Sequence, residues 1–149
     1  MRSVLMASAL ALAVAAGSAM AQEFGSADEA RAMLEQAVVA LEADEAAALA
    51  AFTAGEAPFK DRDLYVFCGG PDGLMSAHGA DPGLVGRDVR ELTDVAGTKF
   101  GVAFYESAVE GEFNTVEYLW PRPGGTEPLP KASYVTLVGG QMCGVGYYP

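Results

Sequence analysis

The segment from Ser26 to about Phe52 has apolar residues at helical spacing and contains neither glycine nor proline. Residues three and four positions apart lie on one side of an α-helix, so this spacing predicts a single long amphipathic helix. Ser26 and Glu29 fit a capping box at its start, and Gly55 supplies a stop at its end. We therefore expect the folded part of the chain to begin with a long helix.

The pattern after this helix changes to short runs that are typical of β-strands. Residues 64–68 and 74–78 flank a Pro-Asp-Gly turn, which predicts two paired strands. Residues 79–97 are irregular and are expected to form a surface loop with one helical turn. Residues 99–110 again have apolar residues at helical spacing and end at Gly111, which predicts a short second helix.

The last part of the chain is predicted to form β-strands. The runs are 113–120, 131–138 and 141–148, separated by a proline-rich loop and by the pair Gly139-Gly140. The long helix precedes the whole sheet and the connections are mostly of hairpin length. The sequence therefore predicts an α+β domain with two helices and an antiparallel sheet of about five strands.

The N-terminus has the pattern of a secretory signal peptide. Residues 1–21 contain one charge, Arg2, then an apolar run and a small-residue ending before Gln22. The apolar run is shorter than the roughly 20 residues that a membrane-spanning helix needs. We expect residues 1–21 to be removed, residues 22–149 to form one domain in the periplasm, and no membrane insertion.

The charge balance of residues 22–149 excludes some classes of partner. They hold all 20 acidic residues and eight of the nine Lys and Arg residues, because Arg2 is the ninth, so their formal charge is −12. Binding to nucleic acid needs clustered cations, so nucleic acid is not expected as a partner.

An aromatic stripe ending in a cation lies near the end of one predicted strand. Tyr118, Trp120 and Arg122 alternate along the chain and would share one face if the strand continues through Pro121. Such a face can hold a small organic anion, because Arg grips a carboxylate through two parallel hydrogen bonds. The alternative is an aromatic core strand with a solvated Arg at its end.

Lys131 and Tyr134 follow on the next strand. They have opposite parity, so a regular strand sends them to opposite faces, and both reach one cavity only if Lys131 lies at an irregular strand start. From spacing alone, Lys131 is interpreted as a surface lysine.

His78 is the only histidine and ends a predicted strand. One His does not make a zinc site without further ligands, so no metal is expected there. It is interpreted either as a donor to a buried carboxylate or as a half-exposed structural residue.

Cys68 and Cys143 are the only cysteines, and the sequence allows three interpretations of them. They pair if their strands are antiparallel neighbours, they remain two buried thiols, or one is a catalytic nucleophile. A nucleophile needs a neighbouring base, and no common catalytic or cofactor motif is present. We therefore expect no enzyme activity and no cofactor.

The order of several short motifs resembles a type-2 single Cache domain. The motifs are Asp63 to Phe67, the Asp72-Gly73 turn, Ala77-His78, Leu84 to Val89, Val116 to Gly124, Pro130 to Val135, and Gly144 to Tyr148. Together with the preceding helix, the resemblance covers about residues 26–148.

The resemblance implies a PAS-like extracytoplasmic sensor fold, with a long N-terminal helix on one face of the sheet and a ligand cavity on the other. It also implies binding of a short carboxylate without chemistry on it. The family's aromatic-Pro-Arg/Lys segment falls on Trp120 to Arg122, and its Pro-Lys-x-Ser-Tyr segment on Pro130 to Tyr134. The sequence departs from the family pattern at Gly79, where members commonly have proline after the histidine.

These residues define the predicted site. Arg122 is expected to clamp the carboxylate, with Lys131 second, Tyr118, Trp120 and Tyr134 as walls, and His78 as a polar contact. We expect a periplasmic binding domain without a transmembrane or signalling module of its own, which hands its state to a membrane receptor or transporter or buffers the ligand. The alternative is a structural or protein-interaction module of the same fold with a closed core.

Overall fold

The computed structural model describes residues 22–149, so the predicted signal peptide lies outside the described residues. The helices are α1 (Ala27–Ala43), α2 (Glu45–Ala54) and α3 (Phe100–Ser107). The strands are β1 (Lys60–Asp61), β2 (Leu64–Gly69), β3 (Met75–His78), β4 (Asn114–Trp120), β5 (Leu129–Val138) and β6 (Gln141–Tyr147). This is the predicted α+β class, with one helix and one short strand more than expected.

The predicted single long helix is wrong, because the chain breaks at Asp44. This residue has extended backbone angles, and its side chain accepts the Ala47 N–H at 3.1 Å, which caps a new helix. An Asp side chain competes with the helical backbone for hydrogen bonds in this way. The predicted ends are confirmed: Ser26 and Glu29 form a capping box, and Gly55 closes α2 with a φ of +66°.

The strands form one antiparallel sheet with the order β1-β2-β6-β5-β4, and β3 pairs with β2. The predicted β2–β3 pair and the β5–β6 hairpin are both present. The loop 79–97 contains two short 3₁₀ turns, Pro82–Leu84 and Val89–Glu91, rather than one helical turn. Helix α3 ends earlier than predicted, and Ala108 already has extended backbone angles.

The sheet separates two cores because side chains alternate along each strand. On β2, Leu64, Val66 and Cys68 face α1 and α2, whereas Tyr65 and Phe67 face α3. We call these sides the helix face and the pocket face. The helix-face core consists mainly of aliphatic side chains from α1, α2, β2 and β6, and the pocket-face core is mainly aromatic.

Candidate functional site

A cavity of about 240 Å³ opens on the pocket face, where β2, β3 and β4 meet two loops. Strands β2 and β3 contribute Tyr65 and His78, and β4 contributes Trp120 at its end. The rest of the wall comes from the loop after β3 and the loop after β4: Ala80, Asp81, Leu84, Pro121, Arg122, Pro123, Gly124 and Gly125. The predicted site residues Arg122, Trp120 and His78 are therefore brought together around one cavity.

Arg122 is held from three sides at the wall of this cavity. Its Nε donates to Asp63 Oδ2 at 3.3 Å, and its guanidinium carbon lies 3.8 Å from the ring centre of Phe24 and 4.5 Å from that of Tyr148. Cation–π contacts of this kind favour a fixed guanidinium plane. Among residues 22–149 only Nε has a hydrogen-bond partner, so Nη1 and Nη2 are free to donate to a ligand.

His78 lines the cavity as a neutral imidazole. Its Nδ1 accepts the backbone N–H groups of Asp81 at 2.9 Å and Ala80 at 3.3 Å. Burial, reinforced by the positive charge of Lys131, lowers the pKa of His78 to about 4. A neutral imidazole that accepts at Nδ1 carries its proton on Nε2, so this ring offers one N–H donor at neutral pH.

Lys131 lies behind the cavity wall and does not line it. Its side chain is buried, and Nζ donates to Tyr65 Oη at 2.9 Å. Burial lowers the pKa of Lys131 to about 7, partly opposed by the negative charge of Asp63. The expectation of a surface lysine is wrong, because regular strand alternation turns this side chain inward beside Ser133 and Val135.

Gly146 of β6 makes room for this buried lysine. A Cβ at this position would clash with Lys131 Cε and Ser133 Oγ. No side chain larger than hydrogen fits there unless Lys131 moves. The space for the buried lysine therefore comes from a glycine on the neighbouring strand. The pattern of residues within β5 alone does not indicate it.

Tyr118 packs below the cavity rather than in its wall. Its ring stacks on Phe100 with centres 4.5 Å apart, and its hydroxyl forms a hydrogen bond of 2.8 Å with Ser133 Oγ. A gap of about 20 Å³ remains between this aromatic cluster and the cavity residues Tyr65, His78 and Trp120. This volume is close to that of a single water molecule, so the inner part of the pocket face is nearly filled.

Tyr134 lies on the helix face, away from the cavity. Its ring centre is 5.5 Å from that of Tyr147, and the guanidinium of Arg31 in α1 lies 6.0 Å from it. The opposite parity of Lys131 and Tyr134 accounts for this separation, because β5 is regular throughout. Tyr134 therefore forms no wall of this cavity.

Cys68 and Cys143 form a disulfide between the directly opposed positions of β2 and β6. Both residues are buried in the helix-face core, away from the cavity. With both sulfurs bonded, neither cysteine is a thiol nucleophile in this state.

Tyr65, Asp63 and Asp81 are site residues that sequence reasoning missed. Tyr65 could have been found from alternation on β2, since it shares the parity of Phe67. Asp63 could not, because its partner Arg122 lies 59 residues further along the chain. In the described residues 22–149, no three His, Cys, Asp or Glu side chains come close enough together to hold a metal ion.

The family model for single Cache domain 2 matches residues 7–145 of this chain. The match covers most of the chain, and the described fold agrees with it. The chain belongs to the single Cache domain 2 family, whose members are extracytoplasmic ligand-binding sensor domains rather than enzymes.

Among curated proteins, the chain is 31% identical over 90 residues to the methyl-accepting chemotaxis protein McpP of Pseudomonas putida. The match spans 59% of this chain and 16% of the relative, so the similarity concerns about a sixth of that protein's length.

Solved structures of chemotaxis sensor domains have the same fold. One, described as the structural basis for carboxylic acid recognition by a Cache chemosensory domain, is 25% identical with a TM-score of 0.64 and covers 81% of this chain and 91% of that chain. A second, a periplasmic sensor domain of a chemotaxis protein, is 28% identical with a TM-score of 0.60 and covers 81% and 88%.

A third structure, a methyl-accepting chemotaxis protein from Vibrio parahaemolyticus, is 20% identical with a TM-score of 0.68 over 81% of this chain and 86% of that chain. It supports the fold alone. Within residues 22–149, no helix combines the length and the apolar character that crossing a bilayer requires.

Proposed function

We propose that residues 22–149 form a periplasmic sensor-type domain that binds a small organic carboxylate beside Arg122. The observation that carries this proposal is the restrained guanidinium at the cavity wall, with two nitrogens free of protein acceptors among the described residues. A guanidinium in this state suits a carboxylate, because it can donate two parallel charge-assisted hydrogen bonds.

The remaining cavity groups have complementary roles in this proposal. The His78 Nε2–H donates a further hydrogen bond, and the rings of Tyr65 and Trp120 shield the bound carboxylate from water. Lys131 acts through Tyr65: its Nζ donates to the Tyr65 hydroxyl oxygen, which leaves that hydroxyl's own proton available to a ligand. Tyr65 stays a neutral donor because burial raises its pKa well above the usual value.

One of the solved relatives is described as a carboxylic acid sensor, which supports the ligand class proposed here. Export through residues 1–21 belongs to the same proposal, since a periplasmic sensor needs a route out of the cytoplasm. A membrane receptor or transporter that responds to the ligand-bound state is the proposed partner.

Binding to a matched pair of variants tests the proposal. Purified residues 22–149 are titrated calorimetrically with acetate, propionate, lactate and pyruvate, using wild type, Arg122→Gln and Arg87→Gln. Arg87 is exposed on the loop after β3 and is absent from the cavity lining, so its variant removes the same charge elsewhere. We expect Arg122→Gln to weaken binding by about 2 kcal/mol, or about thirty-fold, and Arg87→Gln to leave it unchanged.

Equal affinities of wild type and a folded Arg122→Gln variant would contradict the proposed clamp. The nearly filled aromatic cluster under the cavity favours a second function, a protein-interaction module with a closed core. This second function would replace the first if no carboxylate binds to the folded, ligand-free wild-type protein.

A further inference from the structure

The cavity wall contains two formally charged side chains of opposite sign. Arg122 comes from the loop after β4, and Asp81 comes from the loop after β3. Within residues 22–149, the ion pair of Arg122 is with Asp63, and Asp81 belongs to no ion pair. The cavity therefore presents a cation and an anion that do not neutralise each other directly.

Asp81 is held in a defined position although its side chain is exposed. Its backbone N–H donates to His78 Nδ1 at 2.9 Å, and its Oδ1 accepts the Gly83 N–H at 3.0 Å, which caps the Pro82–Leu84 turn. No hydrogen-bond partner of Oδ2 occurs among the described residues. Because the Asp81 carboxylate is already fixed, binding of a ligand costs less side-chain entropy.

The surrounding charges do not favour a simple anion. The positive charge of Arg122 is opposed by the negative charges of Asp63 and Asp81, and Lys131 behind the wall, with its pKa of about 7, adds only part of a positive charge at neutral pH. Residues 22–149 as a whole carry a formal charge of −12, because they include all 20 acidic residues and eight basic ones. An approaching monocarboxylate therefore meets repulsion at long range, and the carboxylates of Asp63 and Asp81 offset part of the attraction of Arg122 at the cavity.

A zwitterion avoids this repulsion because it has no net charge. Its carboxylate can bind the free Nη groups of Arg122, while its ammonium group can donate to Asp81 Oδ2. We propose that the ligand class of this cavity is a small amino carboxylate, with Asp81 as the residue that selects the ammonium group. This rests on the proposed carboxylate site at Arg122 and narrows its ligand class.

A matched three-carbon series tests the inference. Propionate, L-alanine and β-alanine share a carboxylate and differ in the presence and position of the ammonium group. We expect calorimetric titration of residues 22–149 to give at least one amino acid an affinity about ten-fold higher than that of propionate.

The variant Asp81→Asn isolates the charge of the selecting residue. Asparagine keeps an oxygen acceptor for the Gly83 N–H, so the turn after β3 retains its cap. We expect this variant to lose about ten-fold in affinity for the preferred amino acid and to bind propionate at least as well as wild type does. Glu110→Gln is the control, because Glu110 is exposed, lies away from the cavity lining and gives the same change in net charge.

Each outcome of these titrations separates this inference from the proposed function. Propionate binding as tightly as both amino acids would overturn the zwitterion inference and leave the carboxylate site standing. An amino-acid preference that survives in Asp81→Asn would overturn the role of Asp81. Failure of all three compounds and of the other carboxylates to bind the folded wild-type protein would overturn both proposals.

Discussion

The two faces of the sheet use the same strands for different purposes. On the helix face, aliphatic side chains and a buried disulfide pack against α1 and α2. On the pocket face, the core contains buried polar groups that depend on particular partners, such as Lys131 with Tyr65 and Tyr118 with Ser133. Apolar packing stabilises without directional demands, whereas a buried polar group costs free energy unless it is hydrogen-bonded. The contrast indicates that the helix face mainly stabilises the fold, whereas the pocket face carries the polar groups of the proposed binding site.

The largest expected change in stability comes from removing the disulfide on the helix face. In the double variant Cys68→Ala/Cys143→Ala, we expect the free energy of unfolding to fall by about 4 kcal/mol, because a closed loop of 75 residues no longer restricts the unfolded chain. Urea denaturation measures this loss. Ligand affinity of the folded variant should stay near that of wild type, and an affinity loss of similar size would break the contrast.

Acid should destabilise the pocket face through His78. The pKa of His78 is lowered from 6.5 to about 4 in the fold, mainly by burial, so between these pH values the unfolded chain binds a proton that the folded chain does not. The free energy of unfolding therefore falls as the pH drops from 6.5 to 4, by about 3 kcal/mol from this group.

Comparison with His78→Gln isolates this contribution, because carboxyl groups titrate in both proteins. Urea denaturation at several pH values should give wild type the steeper decline between pH 6.5 and 4. Parallel curves would mean that His78 is not held neutral by burial.

The smallest expected effect comes from the buried lysine. In Lys131→Met, we expect the free energy of unfolding to rise by about 2 kcal/mol at pH 6, because an apolar side chain of similar length replaces a desolvated charge. Carboxylate binding should weaken at the same time, since Tyr65 loses its hydrogen bond. Stability and binding would then move in opposite directions at one residue of the pocket face.

The pH dependence sharpens this prediction. The pKa of Lys131 is lowered from 10.5 to about 7 by burial, so the destabilisation by this residue is complete below pH 7 and disappears as the pH rises toward 10.5. The advantage of Lys131→Met in urea denaturation should shrink over that range. Lys99→Met is the control at an exposed position, and an equal gain there would assign the effect to net charge.

Much of the fold was accessible from local sequence signals. The capping box at Ser26, the stop at Gly55 and the turn before β3 depend on residues close together in the chain, and all three were predicted. The break at Asp44 was missed because an Asp inside an alanine-rich run can either continue a helix or cap a new one. That choice depends on how the following helix packs.

The candidate site was predicted less completely because it is assembled from distant parts of the chain. Alternation along β4 indicated Trp120, and the motif after it indicated Arg122. The same reasoning added Tyr118 to the wall, although it packs one layer deeper, and Tyr134, although β5 turns it to the helix face. A periodicity assigns a residue to a face of a strand and does not say what covers that face.

The sequence by itself determined the class of fold, the start of α1, the end of α2 and the acidic charge of residues 22–149, since each depends on composition or on neighbouring residues. The tertiary structure decided that Lys131 is buried under Tyr65, that Asp63 restrains Arg122, and that Asp81 joins Arg122 around one cavity. Contacts between residues far apart in the chain exist only once the sheet has brought its strands and loops together. The arrangement of polar groups at the candidate site therefore depends on the order of the antiparallel strands.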